Sequence, residues 1–223
     1  HRCGLTNEDL NRKWKSPHPL LHPEIFHTKG LIEFCTRVLK KTPYFYCDFH
    51  GHSLKKNIFL YGCSSQESWL SSDKFRVENQ VEFRMLSRLL EQCALSFDPK
   101  SSHYKIERSK ESTARITIWR EYGVVRSYTM ESTYCGFDQG SFKDTHINIS
   151  HLRETGASVC VALAALHDET QYMINLIRNS DKMFDDFCRS KFKYMIENNS
   201  NVTTSMYDEN YADNSDDESD EEN

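Results

Sequence analysis

Tyr44-Phe45-Tyr46-Cys47-Asp48-Phe49-His50-Gly51-His52-Ser53 is the stretch on which the reading of this chain turns. It follows Pro43, is short, and is almost wholly aromatic or apolar up to Phe49. Such a run predicts a strand buried on both faces, the kind found in mostly parallel sheets. The apolar run ends at His50 and His52, so an imidazole is expected at a strand end, in a fixed and sheltered place.

On the C-terminal side, Ile58-Phe59-Leu60-Tyr61 reads as a second strand closed by Gly62. The spacing of Val77, Val81, Met85, Leu89 and Leu90 predicts a helix from about Phe75 to Cys93. Ile116-Thr117-Ile118-Trp119 and Val124-Val125-Arg126-Ser127-Tyr128-Thr129-Met130 are β-branched and aromatic, which predicts two more strands. A long helix is expected from near Ser150, with Leu152, Val159, Leu163 and Leu166 inward. On the N-terminal side, Glu24 to Lys41 reads as a helix that Pro23 starts and Pro43 stops. Strands alternating with helices predict an α/β fold with a mixed, mostly parallel central sheet flanked by helices. Residues 1–180 are expected to form one catalytic domain fragment, 181–200 a weakly helical extension, and 201–223 a disordered acidic tail.

Composition supports a mostly globular protein: of 223 residues, 38% are hydrophobic and 27% charged. No apolar run is long enough for a membrane span, so no membrane role is expected. The eight cysteines are scattered and form no Cys-x-x-Cys pair. With no signal-like start, that usage predicts a cytosolic, cytoplasmic protein with free thiols. The net charge is -5. Asp208 to Asn223 holds no Lys or Arg and much of the acid, so the remainder of the chain is net positive. There is no dense basic stripe for nucleic acid. A Gly-x-x-x-x-Gly-Lys-Ser/Thr phosphate loop is also absent from the sequence.

Three groups could carry chemistry. His50 suits a metal ligand, because zinc favours a neutral imidazole, and Asp48 or a backbone carbonyl could hold its second ring nitrogen. Read alone, His50 and His52 are more ordinary as polar caps of a strand. Asn11-Arg12, with Arg2 upstream, supplies an amide and a planar fork of donors suited to a carboxylate. The plainer account is a solvated loop. Glu131, at the end of a β-branched strand, is partly desolvated, which raises a carboxylate toward the range of a general base. A strand-end salt bridge is the commoner role of a lone Glu.

Taken together, the order is Arg2, then Asp9-Leu10-Asn11-Arg12-Lys13-Trp14, then a strand ending in His50, then a strand ending in Thr129-Met130-Glu131. This resembles the zinc metallocarboxypeptidases related to carboxypeptidases A and B. His1-Arg2-Cys3, Asp48-Phe49-His50-Gly51-His52-Ser53 with Lys55-Lys56-Asn57, Ser109-Lys110-Glu111-Ser112-Thr113-Ala114-Arg115, Trp119-Arg120-Glu121 and Glu131-Ser132-Thr133-Tyr134-Cys135-Gly136 narrow it to the cytosolic carboxypeptidase branch. The resemblance runs from residue 1 to about 178. It implies a zinc cofactor with His50 as one ligand, Glu131 as the catalytic carboxylate and Arg2 beside the oxyanion. It further implies Asn11 and Arg12 on the substrate's terminal carboxylate. The implied activity is removal of C-terminal or side-chain-linked glutamates from proteins such as polyglutamylated tubulin. Arg115, with Lys110 second, is the expected cation for the acidic side chain, and Tyr104 the expected mobile tyrosine.

The sequence departs from that pattern at one point. The family's other two zinc ligands come from a His-x-x-Glu motif ahead of the arginine, and none precedes Arg2 here. A catalytic zinc needs three protein ligands. The expectation is therefore a C-terminal fragment of the catalytic domain, with its N-terminal part missing, inactive and poorly folded by itself. The alternative is a catalytically inactive relative that binds glutamylated tails.

Overall fold

The computed structural model describes residues 3–4, 6–79 and 81–168. The expected extension over 181–200 and acidic tail over 201–223 lie outside the described residues. Three strands, β1 (Tyr46–His52), β2 (Ile58–Tyr61) and β3 (Ser127–Thr133), form one sheet in the order β1-β3-β2. β1 runs parallel to β3 and β2 antiparallel to it, so the sheet is mixed, as expected. β2 has the bounds read from the sequence. Gly62 follows it, at a place where a Cβ would clash with the Tyr104 ring.

β3 alternates between two layers. Tyr128 and Met130 point to one face, where they meet Ile58 and Leu60 of β2. The same cluster takes in Met85, Leu86, Leu89 and Leu90 of α2 (Met85–Cys93) and Val159, Ala162 and Leu166 of α4 (Ile149–Asp168). Burying each of these large side chains contributes about 1.5–3 kcal/mol. On the other face, α3 (Ala114–Tyr122) lies over β3 and β1, and Ser127 Oγ donates to the Arg115 carbonyl at 2.8 Å. Helices thus flank both faces of the sheet.

Three local expectations are corrected. Residues 116–119 are helical, in α3, and not a strand. Ala114, Arg115, Ile116, Thr117, Ile118 and Trp119 are all buried in α3, so tertiary packing overrides β propensity. Gly123, left-handed at φ 71, closes it with its N–H on the Trp119 carbonyl. Second, α2 starts at Met85 rather than Phe75. Arg76 is extended (φ -70, ψ 130). Its guanidinium lies 4.6 Å over the Trp119 ring and donates to the Trp119 and Arg120 carbonyls. That anchor on the end of α3 is incompatible with a helix through residue 76, and Phe75 and Val77 are exposed.

Third, β1 is not buried on both faces. It is an edge of the described sheet, and Phe49 is 64% exposed. The helix before it, α1 (Pro23–Glu33), starts at Pro23 as expected but passes into one π-helical stretch over Phe34–Val38. The chain leaves it through Lys40 at φ 55, ahead of Pro43. Of its apolar stripe only Ile25 is buried; Leu31, Phe34, Val38 and Leu39 are exposed. Among the described residues no helix is long and apolar enough to cross a membrane.

Candidate active site

His50 and Glu131 are partners in the parallel register of β1 and β3. Their side chains emerge on the same face, with His50 Nδ1 3.8 Å from Glu131 Oε1. His50 Nε2 lies 2.8 Å from Asp48 Oδ2. A carboxylate on Nε2 holds the proton there and leaves Nδ1 as the nitrogen with the lone pair, on the Glu131 side. Both side chains remain partly accessible, 25% for His50 and 11% for Glu131.

Asn11 joins this pair from a separate segment. Asp9 caps the short 3-10 turn Leu10–Arg12 by accepting from the Asn11 N–H at 3.0 Å. The Asn11 amide donates to Asp48 at 3.2 Å, lies 3.4 Å from His50 Nε2, and accepts from the Ala114 N–H at 2.9 Å. One amide therefore ties the N-terminal loop, β1 and the start of α3 together. Arg12 is partly exposed, its Nη1 bonded to the Asn11 carbonyl. Upstream, Glu8 accepts from Lys13 and pairs with the buried His22 at 2.8 Å. Lys13 first and His22 next hold the Glu8 carboxyl down at about 2.

Asn11, Arg12, His50 and Glu131 line one cavity of about 490 Å³. Arg12, Lys55, Lys105, Lys110 and Arg115 contribute positive charge to its wall, and Glu107 and Glu131 negative. Asn11, Arg12, His50, Arg115 and Glu131, named from the sequence, are thus brought together, with Lys110. Arg2 lies outside the described residues. Arg115 enters from the first turn of α3, is 5% exposed, and donates to the Gly62 carbonyl. Tyr104 is not at the site. Its ring packs on Phe83 at 5.0 Å in the core, and burial pushes its hydroxyl up.

The sequence reading missed Lys55, Tyr61, His103 and Lys105. Lys55 lies in a motif that assigns it no role, and the sequence marks Tyr61 only as the end of a strand. Burial and then Glu131 push the Tyr61 phenol up, which places it in the electrostatic reach of the site. His103 carries no local pattern, and only the bridge between Tyr61 and His103 brings it in.

Among the described residues no group of three or more His, Cys, Asp and Glu could hold a metal ion. His50, oriented by Asp48, suits one ligand position, and the described residues alone do not make a zinc site.

No protein-family model matches the chain. It is 51% identical over 170 residues to cytosolic carboxypeptidase 1 of Homo sapiens, which covers 74% of this chain and 14% of that protein. It is 44% identical over 208 residues to cytosolic carboxypeptidase 1 of Xenopus laevis, covering 88% of this chain and 17% of the relative. The chain therefore spans less than a fifth of the length of these curated relatives. Among solved structures, a metallo-carboxypeptidase from Burkholderia cenocepacia superposes with a TM-score of 0.59 at 19% identity, over 74% of this chain and 39% of that one. At that identity the likeness bears on the fold alone.

Proposed function

The chain belongs to the cytosolic carboxypeptidases, and from that premise we propose that it forms part of a zinc-dependent carboxypeptidase that removes glutamates from protein C-termini or side-chain glutamate branches, as on polyglutamylated tubulin. The observation that carries the reading is the shared rung of His50 and Glu131, with Asn11 bonded to Asp48 beside them.

The roles follow from that placement. Asn11 and Arg12 present an amide and a guanidinium at one side of the cavity. Together they suit a terminal carboxylate, which only a chain end offers. Glu131, on the central strand, accepts a proton from the attacking water and returns it to the leaving amine. His50, its proton fixed on Nε2 by Asp48, is the ligand this chain offers to zinc, and the remaining ligands come from outside the described residues. Zinc held there would supply Lewis acidity to the reaction. Arg2 is assigned to the oxyanion. The positive wall of the cavity suits an acidic substrate.

The test is deglutamylation of glutamylated tubulin by the full-length protein carrying this sequence, loaded with zinc, beside Glu131→Gln. Shortening of the glutamate chains by the parent, with a loss of at least about 100-fold in the variant, supports the reading. Binding of the tails without cleavage by the parent makes the protein a reader of glutamylation instead.

A further inference from the structure

Arg115 is the first cation one would choose for an acidic side chain, but its guanidinium is already engaged. It is buried against the Gly62 carbonyl, and its Nη1 lies 3.6 Å from the Cys63 sulfur. These partners hold it as a fixed charge at the base of the cavity. The neighbouring wall is different. Lys55 extends from the β1–β2 connection, with its ammonium 4.7 Å over the Phe59 ring and 5.4 Å over the Tyr61 ring. Its hydrogen bond to the Ser101 carbonyl is long, at 3.4 Å. An ammonium has three donors, so donors remain for a ligand.

His103 packs on Tyr61 with ring centroids 4.4 Å apart and the planes tilted by 38°. Its Nδ1 is a buried atom with no hydrogen-bond partner. An orphaned N–H costs more than an orphaned lone pair, so the proton belongs on Nε2. Burial first, then Arg115 and Lys55, push the imidazole below its usual range, against Glu107, which acts the other way. His103 is therefore a neutral donor on the cavity wall.

We infer that Lys55 and His103 recognise the side-chain carboxylate of the substrate's C-terminal residue, with Arg115 as the buried charge behind them. This rests on the carboxypeptidase reading above and moves the specificity contact from Arg115 to Lys55. Two features favour a side-chain carboxylate here. The Lys55 and His103 donors stand at β2, on the far side of β3 from Asn11, so they are separate from the group assigned to the terminal carboxylate. Glu131, on β3, lies between the two.

The experiment compares kcat/KM for peptides ending in Ala-Glu and Ala-Gln, which differ only in the charge of the terminal side chain, and for Glu-Gln. The zinc-loaded full-length protein, Lys55→Met and Lys55→Arg are measured side by side. The inference expects the preference for Ala-Glu over Ala-Gln to fall about tenfold in Lys55→Met, the effect of losing one charge-assisted hydrogen bond. Lys55→Arg is expected to retain most of it, which separates loss of the cation from loss of folding. An unchanged ratio in Lys55→Met overturns the assignment. So does a loss that follows the penultimate residue, read as Glu-Gln against Ala-Gln. Failure of the parent to cut any of these peptides sinks the carboxypeptidase reading instead.

Discussion

β1 and β3 are neighbours of equal length in one parallel register, and each carries one residue of the candidate site, His50 or Glu131, yet they are held in opposite ways. β3 is paired on both sides and buried almost throughout. β1 is paired on one side among the described residues, is half-exposed, and leaves Phe49 largely in solvent. The carboxylate of Glu131 thus sits on the strand this chain secures by its own packing. The imidazole sits on the strand it secures least, where Asp48 positions the ring and the Asn11 amide in turn holds Asp48.

That contrast can be broken or sharpened by substitution. Met130→Ala on β3 removes a buried thioether from between β2 and the α2–α4 layer. It is expected to cost about 2–5 kcal/mol, read as a fall in the denaturant midpoint; a cost near zero would show that β3 is not the anchored strand. Tyr128→Phe deletes a hydroxyl that donates to the Phe83 carbonyl at 2.9 Å. It leaves that acceptor buried, so the expected loss is smaller, about 1 kcal/mol. Phe49→Thr on β1 changes an exposed side chain and is expected to stay within about 0.5 kcal/mol. A loss comparable to that of Met130→Ala would mean that Phe49 is covered in the folded protein.

The same contrast marks what the sequence could tell. β2 was legible to the residue, because four apolar residues ahead of a glycine leave little alternative. The core of β3 was legible from its period, as were Val159, Leu163 and Leu166 on α4, but Leu152, expected on the same inward face, is exposed because the first turn of α4 lies beyond the core. His50 and Glu131 were legible through the order of their motifs, and the register then put them on one rung. α3 was not legible: Ile116-Thr117-Ile118 carries a strand propensity that complete burial overrode. The start of α2 was misplaced because Arg76 spends its backbone freedom on the end of α3, a contact 43 residues away in sequence. The exposure of β1 was hidden because an apolar run says what prefers to be buried and not which neighbours bury it. Lys55 and His103 could not be joined from sequence, since the aromatic shelf between them is made only when β2 folds against residues 101–107.

The parallel register of His50 with Glu131 works as a ruler. Adjacent strands stand about 4.8 Å apart, and that spacing belongs to the backbone ladder, whatever side chains occupy the rung. Replacing either residue changes the chemistry available at the rung without resetting its width. A designer could therefore place a different pair there and inherit a spacing already fixed by the fold.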